Sequence, residues 1–149
     1  MNSKTKKILL EIICLLLVVL FIYAASNKMM DYANFKRQLG LSPLLGDFAN
    51  LVAWVIPTIE IIIAFLLIIP EFKVWGLYAS FILMSLFTAY LFIILNFVEA
   101  KDIPCSCGGI LNGLGWRKHI YFNLFFVVLA AIGIIMRSKQ KINKFYPAG

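Results

Sequence analysis

Cys105 and Cys107 stand one residue apart in the run Cys105-Ser106-Cys107-Gly108-Gly109. A disulfide between them would close a very small ring. Its geometry would have to leave the relaxed range, which strains the bond and makes it easier to reduce. Strained, exposed disulfides exchange; relaxed ones staple. Gly108 and Gly109 permit a backbone turn with positive φ and the close approach of another chain, while Pro104 stiffens the other flank. Lys101, Arg117, Lys118 and His119 would favour a thiolate wherever they come near it. Two further readings stay open. The thiols could be structural or incidental, or they could join His119 in a zinc site, although that spacing fits no usual zinc module. The third cysteine, Cys14, lies about six residues into the first apolar run. At 1.5 Å per residue that leaves roughly 18 Å to the far face, too far for a bond to the pair, and Cys14 reads as lipid-buried filler.

Glu60 is the other position that asks for an explanation. It falls near the middle of an apolar run, and carboxylates in lipid usually face a bundle interior and mark a site. Pro57, three residues earlier, frees a backbone carbonyl that a polar neighbour could satisfy. The competing reading is a protonated Glu60 bonded to Tyr90 or a serine as structural glue. His119 and Asn123 are four apart and share one helical face. If that face points inward, His119 could give and take protons during thiol exchange; otherwise it is an interfacial histidine beside Trp116. Glu11, near one end of the first run, is expected to snorkel or to pair with a lysine. Trp54 and Trp75 suit aromatic belts or plain helix packing.

These residues are set in a chain of 149 residues that is 62% hydrophobic and only 14% charged. Small soluble domains bury only about two-thirds of their chain surface, so lipid must be the solvent for most of this one. Four apolar runs follow one another, at about 8–25, 48–69, 74–98 and 119–136. The first is about 18 residues, roughly 27 Å as a helix, close to the hydrocarbon thickness. A basic head before an apolar run also suits a signal peptide, but Ser26-Asn27-Lys28 is no small-residue cleavage site, so the run is read as a retained span. The connections at 26–47 and 99–118 are polar. Gly40 and Ser42-Pro43 break the first, and Asp31 to Gln38 could form a short interfacial helix. Pro70 to Lys73 is a tight connection, which makes spans two and three antiparallel neighbours. Ser80, Ser85, Thr88, Tyr90 and Asn96 suit bonds to helix backbone or across helix interfaces. The expected fold is an all-α membrane protein, a four-helix bundle forming a single domain over 1–149.

The net charge of +7 does not point to nucleic acid, because Lys and Arg gather at segment ends and not on one basic face. With four spans, both termini share a side. That side carries eight Lys or Arg in about 24 residues, against six in about 41 on the other. The denser side is expected to be cytoplasmic. Both long loops, and the cysteine pair, would then face the periplasm of a bacterium, an oxidising compartment where disulfides persist.

The run Cys105-Ser106-Cys107-Gly108-Gly109, leading through Trp116 and His119 into a final span, resembles the MauE branch of the MauE/DoxX membrane proteins. Pro57-x-x-Glu60 with Ala64 and a leucine-rich stretch is similar to that family too, as is the Ser26-Asn27-Lys28 exit from the first span. The resemblance covers about residues 8–136. Family members more often carry an aromatic after the first glycine, where this chain has Gly109. The resemblance implies a redox-associated membrane protein, often paired with thioredoxin-like partners, whose namesake is implicated in disulfide formation or transport of a periplasmic enzyme subunit. The arrangement is more distantly similar to vitamin K epoxide reductase, although that protein has Cys-x-x-Cys and further loop cysteines. Any electron relay here would need a separate partner.

The function expected is thiol–disulfide exchange in the bacterial inner membrane, with a periplasmic thioredoxin-like partner or client. Cys105 and Cys107 would carry the chemistry, with His119 and Glu60 as further candidates and a membrane quinone as a possible electron carrier. The alternative is a non-catalytic assembly factor, export helper or anchor. A small-molecule transporter ranks below both, since four helices leave little room for a pathway.

Overall fold

A computed structural model describes residues 3–42, 44–97 and 116–145, with side chains over 4–42, 44–97 and 118–138. Apart from short connections at 31, 42, 44–45 and 69–72, the described residues are helical. The order is α1 (Ser3–Met30), α2 (Tyr32–Leu41), a 3-10 turn (Gly46–Phe48), α3 (Ala49–Ile68), α4 (Lys73–Phe97) and α5 (Trp116–Phe145). Four of these helices, α1, α3, α4 and α5, are long and apolar enough to cross a membrane.

Each spanning helix buries a narrow stripe. In α1 the buried positions are Leu10, Ile13, Cys14, Leu17, Val18, Phe21 and Ala25, a three-and-four spacing that keeps one face inward. Cys14 is 3% exposed within the main hydrophobic cluster, so it packs against the other helices and does not face lipid. Between 28% and 39% of each span's most apolar window is buried inside the protein. The outward remainder, including Leu15, Phe65, Trp75 and Phe92, is apolar as well. Water would penalise such a surface, and a bilayer would not.

The helices close a ring in which α1 packs chiefly on α3, α4 on α5, and α3 on α4. Spans two and three are neighbours, as the short Pro70–Lys73 connection requires. Gly76 lets α4 approach α3 closely, since a Cβ there would stand 2.9 Å from the backbone nitrogen of Leu67. Ser80 buries its hydroxyl by donating to the Gly76 carbonyl at 2.7 Å. At one end of the bundle the Lys73 ammonium holds both carboxylate oxygens of Glu11 at 2.6 Å, and Arg137 reaches the Pro70 carbonyl. Glu11 thus pairs with a lysine of α4. At the other end α2 lies across the helices. Tyr32 stacks at a tilt on Trp54 of α3, with centroids 5.3 Å apart, and the Ser42 and Tyr90 hydroxyls share a 2.9 Å hydrogen bond.

Several boundaries depart from the expected ones. α1 runs through Met30 where the apolar run stops near 25, because lipid immersion limits the apolar stretch and not the helical hydrogen bonding. The short helix begins at Tyr32 and continues through Gly40 to Leu41. Gly40 lies in the last turn of α2, where an added Cβ would meet nothing within 4 Å.

Candidate functional site

The bundle end where α2 docks holds a half-open cavity of about 330 Å³. Its walls come from α1, α2, α3, α4 and α5 and are mainly Leu, Ile and Phe side chains. Six polar side chains line it as well: Lys28, Gln38, Glu60, Tyr90, His119 and Asn123.

Glu60 is 1% exposed. It occupies the inward stripe of α3 with Ala53, Pro57, Ile63, Ala64 and Leu67. Its Oε1 accepts a 2.8 Å hydrogen bond from the Lys28 ammonium, with the lysine side chain 11% exposed. Lys28 also donates weakly to the Ala24 carbonyl at 3.4 Å. Its ammonium stands 5.9 Å from the Phe35 ring centroid and 5.8 Å from that of Phe87, within reach of a cation–π attraction. The expected glue partners of Glu60 are engaged otherwise: Tyr90 bonds Ser42, and Ser80 bonds its own helix. A buried carboxylate needs a countercharge more than it needs a hydroxyl, and α1 continues one turn beyond its apolar run to supply it.

Among the described residues, two buried side-chain oxygens face no hydrogen-bond partner, Glu60 Oε2 and Gln38 Oε1. The amide of Gln38 is oriented by a 3.3 Å bond to Asn34 Oδ1. His119 and Asn123 are each 8% exposed, so their shared face points inward, and both line the cavity. The His119 ring packs at a tilt against Phe122, centroids 6.4 Å apart. Ile94 near the end of α4 and His119 in the first turn of α5 both line this space. The helices on either side of the 98–115 segment therefore end and begin beside the cavity.

A family model described as methylamine utilisation protein MauE matches residues 6–136. The chain belongs to the MauE family. Comparisons with curated proteins and with solved structures found no match.

In this MauE family member the structure brings Glu60 and His119 into one cavity. Cys105 and Cys107 lie outside the described residues. Lys28, Phe35, Gln38 and Phe87 complete the cavity and were not singled out as site residues by the sequence. A lone carboxylate in a span requires a cation nearby, but Lys7, Lys73 and Lys118 abut the ends of apolar runs more closely than Lys28 does, so that signal did not single out Lys28. Phe35 and Phe87 carried no such signal, because aromatic residues abound in this chain.

Proposed function

We propose that this MauE family member is a thiol–disulfide exchange protein of the bacterial inner membrane, one unit over 1–149 with both termini cytoplasmic. Its partner is a periplasmic thioredoxin-like protein or client. The observation that supports the reading is a polar-lined cavity bordered by the two helices that the cysteine-bearing segment connects. That segment joins Phe97 of α4 to Trp116 of α5, and both helices border the cavity holding His119, Asn123 and the Lys28–Glu60 pair. Buried titratable groups are a usual setting for proton-coupled chemistry.

The exchange balances as follows. A thiolate of the reduced pair attacks a partner disulfide, forming a mixed disulfide and expelling one partner thiolate. The second cysteine then attacks the first, forming the Cys105–Cys107 bond and releasing the partner as a dithiol. Two electrons and two protons pass to the partner, and the reverse sequence oxidises it. His119 accepts or returns a proton at the cavity edge.

The test is trapping in cells. Cys105→Ser or Cys107→Ser should accumulate a mixed disulfide visible on a non-reducing gel and lost on reduction. Full function in a chain lacking both thiols would overturn the proposal and favour an assembly or anchoring role. A membrane-impermeant thiol reagent should label Cys105 in intact cells stripped of the outer membrane. Labelling only after lysis would reverse the orientation.

A further inference from the structure

The cavity is built for an occupant that donates a hydrogen bond. Among the described residues, Glu60 Oε2 is buried without a partner while Oε1 is held by Lys28, and Gln38 Oε1 is a second buried acceptor without a donor. An ionised carboxylate accepts up to about four hydrogen bonds, and leaving an acceptor dry costs about 1–3 kcal/mol or more for a charged group. The space is about 330 Å³, within the usual range of ligand sites. A water claims about 30 Å³ and needs two to four polar partners, so water alone would leave most of this apolar wall badly solvated.

The chemistry of the lining narrows the occupant. An anionic head is disfavoured, because Lys28 is already engaged by Glu60 and the free carboxylate oxygen carries negative charge. A cationic head would compete with Lys28 for the same carboxylate. What remains is a neutral head with a hydroxyl on an apolar body. The walls include Phe21, Phe35, Phe87 and Phe122, which suit the faces and edges of a flat ring. We infer that the cavity binds a membrane-soluble aromatic alcohol of the quinol type, its ring hydroxyl donating to Glu60 Oε2.

Redox use of the site rests on the thiol exchange proposed above. There a quinone would take two electrons and two protons from the Cys105–Cys107 dithiol, giving the disulfide and the quinol. Binding itself does not depend on the thiols.

The experiment uses the full chain in lipid nanodiscs with a decyl-substituted benzoquinol, the matching quinone and 4-decylphenol. Bound probe is extracted and counted per chain, and affinity is read by tryptophan quenching. Quinol and phenol should bind about tenfold more tightly than quinone, the equivalent of one hydrogen bond to a charged acceptor. In Glu60→Gln the amide oxygen can keep Lys28 while its N–H group faces the cavity, so the preference should invert toward the quinone. Val52→Phe, which narrows the cavity from α3, should weaken saturable binding of all three probes. Equal affinities in the wild-type chain, an unchanged ratio in Glu60→Gln, or wild-type affinities in Val52→Phe would each overturn the inference. The Cys105→Ser/Cys107→Ser chain should bind quinol as the wild type does. Probe binding without partner trapping would sink only the exchange proposal, and trapping without probe binding would sink only this one.

Discussion

A carboxylate enclosed by a lipid-embedded bundle must be protonated, reach water or meet a cation. Glu60 takes the third course, with Lys28 at 2.8 Å. Removing one partner of such a pair leaves an uncompensated buried charge and typically costs about 3–5 kcal/mol, whereas replacing both by apolar groups is often neutral. Lys28→Met should therefore lower the thermal unfolding temperature in detergent sharply, and Lys28→Met/Glu60→Leu should recover most of the loss. The double-mutant cycle measures the coupling directly. Glu60 was legible in the sequence because a lone acid in an apolar run stands out. Its partner was not, since periodicity within one helix says nothing about which residue of another helix lies opposite. Lys28 was counted there as a loop charge. His119 and Asn123 were legible as a pair on one face, but the sequence left open whether that face turned inward.

At the scale of the helices, the two glycines with the most different surroundings give opposed expectations. A Cβ at Gly76 would collide with the backbone of Leu67, which cannot rotate away as a side chain can. Gly76→Val should push α4 from α3 and cost about 1–3 kcal/mol, as overpacking does. Gly40 meets nothing within 4 Å and lies inside α2. Gly40→Ala should stabilise the protein by up to about 1 kcal/mol through helix propensity. Denaturation followed by circular dichroism would check both. The presence of four spans was legible because twenty apolar residues in a row have few other uses, but not their ends: α1 overruns its apolar run by five residues at each end and α5 by nine at its C-terminal end. α2 was legible only as a possibility. Its docking depends on Tyr32 meeting Trp54 and Ser42 meeting Tyr90, contacts between residues far apart in the chain.

Across the whole molecule the two ends of the bundle differ in how they hold charge. Glu11 is half exposed, its side chain at 52%, while that of Glu60 is at 2%. Lys73 is buried, its side chain at 9%, so only the Glu11 side of that pair is open to salt; charges exposed to solvent are screened, and buried ones far less. Raising sodium chloride from low to molar concentration should therefore reduce the effect of Glu11→Gln on thermal stability in part, yet leave the effect of Lys28→Met nearly unchanged. A thermal-shift series over salt for both variants would show it.

Phe35 belongs to α2, yet its ring flanks the ammonium of Lys28 on α1. The neighbouring Lys36 and Arg37 are exposed, and trypsin cuts after both residue types. Seating of the crossing helix and neutrality of the charge beneath it are thus joined through one benzene ring, so protease sensitivity becomes a gauge of the interior. Phe35→Ala or Lys28→Met should hasten nicking at 36–37 in folded protein, whereas Glu11→Gln, at the opposite end, should leave the digestion rate unchanged.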